Sequence, residues 1–88
     1  MVRYRVLVSG RVQGVYFRGT CRQLALQRGV RGWVRNLPDG RVEAVLEGTP
    51  EEVHRLVDWV HHDPRAATVT GVAVCEERPE GLGGFVIR

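Results

Sequence analysis

The stretch Gly10-Arg11-Val12-Gln13-Gly14-Val15-Tyr16-Phe17-Arg18 links a short apolar strand pattern to a helical one and puts an arginine in the first helical turn. Its two glycines allow successive backbone N–H groups to turn into one concavity, a nest for an anion. The unpaired N–H groups and positive dipole end of the following helix favour the same occupant. Arg18 adds a planar fork of donors that suits the tetrahedral oxygens of a phosphate. The stretch therefore reads as a phosphate cradle, with Gln13, Gly14, Val15, Tyr16, Phe17 and Arg18 around the ligand.

The groups that are missing narrow the chemistry. No cysteine or histidine lies between Val8 and Arg18, and neither Ser9 nor Thr20 has an evident base. No carboxylate cluster suggests a magnesium site, and the one reachable carboxylate is Asp39. All 13 basic residues are arginine, so there is neither a Schiff-base lysine nor a lysine-type phosphate loop. Donors without base, nucleophile or metal can hydrolyse only a substrate whose leaving group needs no proton. A carboxylate, whose acid has a pKa of about 4, is such a group, and an acyl phosphate carries it. The chain's only asparagine, Asn36, offers a side-chain amide that can hold a water in line with the departing carboxylate. The water's proton then goes to a phosphoryl oxygen. Arg18 and Asn36 are the catalytic candidates, and no cofactor or metal is called for.

These nine residues resemble the acylphosphatase signature, written around Gly-Arg-Val-Gln-Gly-Val-x-Phe-Arg. A second segment, Gly32-Trp33-Val34-Arg35-Asn36-Leu37-Pro38-Asp39-Gly40, resembles that family's Gly-Trp-Val-x-Asn motif with its Asp-Gly turn. The resemblance covers essentially the whole chain. It implies a ferredoxin-like fold, acyl phosphate hydrolysis, and the roles given above for the matching Arg18 and Asn36.

The elements that must position these residues are legible from their periods. The first strand, Tyr4 to Val8, alternates Tyr4, Val6 and Val8 against Arg3, Arg5 and Leu7. Phe17, Cys21, Leu24 and Ala25 mark a helix from Phe17 to Arg28 that stops at Gly29. The second strand, Val30 to Asn36, puts Val30, Gly32, Val34 and Asn36 in one phase and Arg31, Trp33 and Arg35 in the other. Pro38-Asp39-Gly40 is a turn, and a third strand from Arg41 to Glu47 completes a hairpin. Its Glu43 and Glu47 are expected to pair across strands with Arg31 and Arg35. Thr49-Pro50-Glu51-Glu52 starts the second helix, with Thr49 as N-cap and Glu52 as partner in a capping box. Val53, Leu56, Val57 and Val60 form its buried stripe, Trp59 borders it, and Asp63-Pro64 ends it. A fourth strand runs from Thr68 to Cys75, Glu80 to Gly84 is a flexible connection, and Phe85 to Arg88 is a short final strand.

The order is βαββαβ with a short additional C-terminal strand. It predicts an α+β, ferredoxin-like two-layer sandwich: an antiparallel sheet with both helices on one face. In that arrangement the C-terminal ends of the first two strands lie at one end of the sheet, about 10 Å apart. Arg18 and Asn36 then share the inner face.

Composition sets the remaining expectations. A chain of 88 residues, 43% apolar, is expected to fold as one domain spanning 1–88. With 13 basic and 10 acidic residues the net charge is +3, which steers anions inward. Cys21 and Cys75 read as two buried thiols. His54, His61 and His62 read as solvated helix residues, and Trp33 and Trp59 as core or sheet-face aromatics. Tyr16 either lines the pocket or covers the loop, and Arg11 is expected at the surface. No apolar run is long enough for a bilayer, and Met1 to Arg5 does not read as a signal peptide, so a cytoplasmic monomer without membrane contact is expected. An RNA-recognition module needs aromatics on its two central strands, but the first strand has only Tyr4 and the third has none, so no nucleic-acid partner is expected. The N-terminal domain of hydrogenase-maturation carbamoyltransferases resembles this loop too. The chain stops at Arg88 without their zinc-binding segments, so a free-standing enzyme is expected. The partner is a small acyl phosphate, and inorganic phosphate or sulfate would occupy the same cradle. Purified protein is predicted to hydrolyse benzoyl phosphate at an undiminished rate in EDTA, with inorganic phosphate as a competitive inhibitor; a rate that EDTA abolishes would contradict this chemistry.

Overall fold

Alternating valines and a helical 3.6-residue stripe meet in one core, seen in a computed structural model that describes residues 1–13, 15–62 and 69–88, without the side chains of Val15 and Tyr16. The chain runs β1 (Val2–Gly10), α1 (Val15–Gln27), β2 (Arg31–Asn36), β3 (Val42–Gly48), α2 (Pro50–His62), β4 (Val69–Glu77) and β5 (Phe85–Ile87). This is the expected ferredoxin-like α+β order. Gly14, the Asp63-Pro64 helix stop and the Thr68 strand start lie outside the described residues.

The sheet has the strand order β4-β1-β3-β2-β5. β1 is antiparallel to β3 and β4, and β2 is antiparallel to β3. β5 joins parallel to β2, with Gly32, Trp33 and Val34 opposite Phe85, Val86 and Ile87, so the sheet as a whole is mixed. Direction explains this. β4 runs against β1 and hence against β2, and the chain reverses once more before β5.

One face carries Val6, Val8, Val34, Val42, Ala44 and Leu46. Both helices pack on it, through Phe17, Cys21 and Ala25 of α1 and Val53, Leu56 and Val60 of α2. The Phe17 ring lies 5.2 Å from that of Trp59, which joins the two helices over the sheet. Gly29, at φ 69°, ends α1 in the left-handed cap: the N–H of Val30 donates to Ala25 O at 2.9 Å. Thr49 caps α2, its hydroxyl accepting from the N–H of Glu52 at 3.4 Å. The return half of the capping box gives way to a charge pair, because the Glu52 carboxylate meets Arg28 of α1 at 3.3 Å. No helix among the described residues is long and apolar enough to cross a membrane.

The opposite face is a lattice of arginines and glutamates. Arg5 and Arg35 both bind Glu43, each at 2.7 Å, and Arg5 binds Glu77 at 2.8 Å. The expected Arg35–Glu43 pair is therefore present, but Glu47 does not pair with Arg31. It is fully buried and binds Arg3 at 2.9 Å, while accepting the N–H groups of Glu80, Gly81 and Leu82 at 2.8, 3.0 and 3.0 Å. The chain crossing from β4 to β5 is draped over this carboxylate, and its three N–H donors take the place expected of Arg31. The connection expected to be flexible is thus tied down at three consecutive N–H groups. Trp33 lies on this face beneath the guanidinium carbons of Arg5, Arg35 and Arg88, 5.8, 5.1 and 4.7 Å from the ring centre.

Burial by itself pushes the Glu47 carboxyl up, yet the Glu80 and Leu82 N–H groups, the Arg3 guanidinium and the Gly81 N–H outweigh it and hold it below the usual glutamate value. Glu43 follows the same balance, with Arg5 and Arg35 overcoming burial. Glu77 is held low by its hydrogen bonds from Arg5 and Arg3. Because the folded-state values are depressed, the stabilisation is present above the unfolded value of about 4.3 and is lost as pH falls through the folded values.

The two thiols differ. Cys21 is buried against the core, and that burial pushes it up to about 12. Cys75, expected to be buried, is exposed on the edge strand β4. Its position alternates onto the sheet face that no helix covers. Two predictions follow from these environments. Glu47→Gln is expected to cost about 3 kcal/mol at pH 7, by leaving Arg3 buried with a lost partner, and to flatten the acid dependence; urea midpoints at pH 7 and below pH 4 measure both. In native protein only Cys75 is expected to react promptly with an aromatic disulfide reagent, with Cys21 following only on unfolding; prompt reaction in a Cys75→Ser variant would contradict this.

Candidate active site

Val42 is paired on both sides, with Val8 of β1 and with Asn36 of β2. Val8, near the end of β1, and Asn36, at the end of β2, are therefore level, two strand spacings or about 10 Å apart. Strand alternation puts Asn36 on the helix-covered face with Val34, as the sequence predicts. From Val8 the chain continues through Ser9 and Gly10, where the pairing with β4 slips by a residue and Gly10 takes φ 115°. That slip turns the chain off the sheet edge. Val12 then buries its side chain in the core, anchoring the loop from below. α1 begins at Val15, so Arg18 stands in its first turn, and α1 packs against β2 and β5.

Among the described residues, the buried side-chain polar atoms without a hydrogen-bond partner are Arg18 Nε and Asn36 Oδ1. A buried polar atom left unpaired costs about 1–3 kcal/mol, and folded proteins rarely tolerate it without a purpose. The two are chemically complementary. Arg18 Nε is a donor that lacks an acceptor, and Asn36 Oδ1 is an acceptor that lacks a donor. An oxygen of an anion could pair with the first, and the O–H of a water with the second. Both atoms belong to residues singled out from sequence as catalytic.

The remaining expected contact residues divide. Phe17 is buried in the core against Trp59, so its side chain supports the loop from below. Gly14 and the side chains of Val15 and Tyr16 lie outside the described residues. The Gln13 side chain turns to the β2–β3 hairpin and donates to Leu37 O at 2.7 Å and Arg41 O at 3.2 Å. Its side-chain role was not legible from sequence, because the acceptors are backbone atoms of another loop. Asp39 accepts from the Arg41 N–H at 3.0 Å and from Arg41 Nε at 2.8 Å. The backbone N–H first, and then the guanidinium, hold its carboxyl below the ordinary value. Engaged in its own turn and lowered in basicity, it is poorly suited to act as a base.

The histidines lie on α2. His54 Nε2 is 3.1 Å from the Tyr4 hydroxyl, with the rings stacked 5.5 Å apart, and His61 Nδ1 meets Val57 O at 2.9 Å. Among the described residues no three His, Cys, Asp or Glu side chains converge as metal ligands would.

Comparison with known proteins points in one direction. The acylphosphatase family model matches residues 4–87. An acylphosphatase of Gloeobacter violaceus is 57% identical over 86 residues, covering 98% of this chain and 92% of that protein. The crystal structure of acylphosphatase from Bacillus subtilis superposes with a TM-score of 0.89 at 40% identity, covering 100% of this chain and 99% of the other. HypF of T. kodakarensis contains the same fold, with a TM-score of 0.82 at 30% identity, over 100% of this chain but 12% of its own.

Proposed function

The chain belongs to the acylphosphatase family, enzymes that hydrolyse acyl phosphates, and from that premise we propose how its residues divide the work. The backbone N–H groups of residues 13–18 and the guanidinium of Arg18 bind the phosphoryl oxygens. The first N–H groups of any α-helix lack partners within the helix, so the start of α1 contributes donors as well as dipole. These donors favour the transition state as the bond between phosphorus and the acyl oxygen loosens and charge spreads over the phosphoryl oxygens.

Asn36 Oδ1 accepts a hydrogen bond from the attacking water and aims its lone pair at phosphorus, opposite the acyl oxygen. A bond forms from water oxygen to phosphorus. The bond from phosphorus to the acyl oxygen breaks, its electron pair leaving on the carboxylate. One water proton passes to a phosphoryl oxygen, giving inorganic phosphate. The leaving carboxylate is so weakly basic that it departs unprotonated, so turnover needs no protein acid.

The observation that carries this reading is the pair of buried, unsatisfied atoms at Arg18 Nε and Asn36 Oδ1. One is matched to an oxyanion and the other to a water. A surface arginine and a turn asparagine would both be solvated and would pay no such penalty. The shared pairing of Val8 and Asn36 with Val42 supports their belonging to one site.

Arg18→Ala is expected to lower kcat/KM for benzoyl phosphate by about 10³-fold. Asn36→Ala is expected to lower kcat by about 10²-fold with the inhibition constant of inorganic phosphate changed less than about twofold. Steady-state kinetics with phosphate inhibition checks both, and an Asn36→Ala enzyme that lost phosphate affinity yet kept its kcat would refute the assigned role. Binding of phosphate without any turnover would instead indicate a phosphoryl-binding module.

A further inference from the structure

We infer that Gln13 is a positioning residue that sets the aim of Asn36 by joining the anion-binding loop to the neck of the β2–β3 hairpin; this rests on the water-positioning role proposed for Asn36. The amide of Gln13 has two hydrogens, and two backbone carbonyls lie within reach of its nitrogen, Leu37 O at 2.7 Å and Arg41 O at 3.2 Å. Each carbonyl already accepts one hydrogen bond inside the hairpin. Leu37 O takes the Gly40 N–H at 3.1 Å, and Arg41 O takes the Leu37 N–H at 2.7 Å. Gln13 fills the second acceptor position of both.

The place of these carbonyls gives the contact its consequence. Leu37 directly follows Asn36, and Arg41 directly precedes Val42, the residue paired with Asn36 on one side and Val8 on the other. Gln13 therefore grips both strands of the hairpin at the level of Asn36. The grip matters because Asn36 Oδ1 has no hydrogen-bond partner among the described residues. A side chain that is not held at its acceptor tip must be aimed from its backbone, and that backbone is held relative to the loop by Gln13.

Residue type fits the task. Asparagine is one methylene shorter, and glutamate would set a carboxylate against two carbonyl oxygens. The contact is solvent-exposed, so its loss leaves the buried core intact. A displacement of about 1 Å in a reacting group can nevertheless cost about 10²-fold in rate.

The test is a double-mutant cycle on benzoyl phosphate hydrolysis with Gln13→Ala and Asn36→Ala, repeated with the near-isosteric Gln13→Glu. In the otherwise unchanged enzyme, Gln13→Ala is expected to lower kcat by about tenfold or more, with the phosphate inhibition constant shifted less than about twofold. In the Asn36→Ala enzyme the same change is expected to lower the residual kcat by less than about twofold, because the group it aims is gone. Gln13→Glu is expected to behave like Gln13→Ala or worse. Equal falls in both backgrounds, an unchanged kcat, or a loss of phosphate affinity that accounts for the fall would each overturn the inference. Undiminished kcat in the single Asn36→Ala variant would overturn the reading of Asn36 itself, and this one with it.

Discussion

One pairing constraint governs the geometry of this molecule: β3 lies between β1 and β2 and runs against both, so that Val42 faces Val8 on one side and Asn36 on the other. Two strands antiparallel to the same neighbour must be parallel to each other. Their C-terminal ends then lie at one edge of the sheet and their inward residues on one face. The chain leaves β1 at that edge to build a loop and a helix start, and leaves β2 there to build a hairpin turn. A slip of one residue in the β2–β3 register would move Asn36 to the opposite face, among the arginines and glutamates. The placement of Asn36 beside the end of β1 is thus a consequence of register before it is a consequence of any side chain.

Register in turn is secured from both faces of the sheet. On the covered face, valines and the helix stripes exclude water, and Phe17 and Trp59 bring the two helices together. On the other face, paired charges stand in for a third layer. Glu43, on the intervening strand, bridges Arg5 of β1 and Arg35 of β2, which ties together the three strands that bring Val8 and Asn36 level. Glu47 acts further down the sheet and captures the chain on its way to β5. Gly32 shows how closely the backbones approach there: at φ 142° its position has no room for a side chain, since a Cβ would fall on the carbonyl of Val45. The surface opposite the helices is therefore specific structure, although its residues are charged.

The two faces differ in how their buried polar groups are satisfied. The buried charges of the lattice are satisfied: Glu47 has four donors and Arg3 binds Glu47 and Glu77. The buried polar atoms of Arg18 and Asn36 are not. Among the described residues, the fold thus satisfies a fully buried glutamate with four hydrogen bonds while a guanidinium nitrogen and an amide oxygen stay unpaired, which is the contrast on which the proposed site rests.

Much of this was legible in the chain itself. Alternation in Tyr4–Val8 and Val30–Asn36, the stripes of the two helices, Gly29 as a stop and Thr49 as a cap are local signals, because strand and helix periods and caps are properties of neighbouring residues. The two segments that carry the family resemblance, Gly10 to Arg18 and Gly32 to Gly40, could be read as well, since each is a run of neighbouring residues, and the family model spans both. That the two segments lie at one end of the sheet followed from topology, because the order βαββαβ brings Val8 and Asn36 level across Val42. What only the tertiary structure decided depended on partners distant in sequence. The capture of Glu47 by the β4–β5 connection displaced the expected pair with Arg31, and the sheet edge exposed Cys75. The parallel seat of β5 came from the last chain reversal, and Gln13 found its acceptors on Leu37 and Arg41, 24 and 28 residues away. A residue type announces what it can bond with, but which atom meets it is decided by the path of the backbone, and that path is set only when the whole core closes.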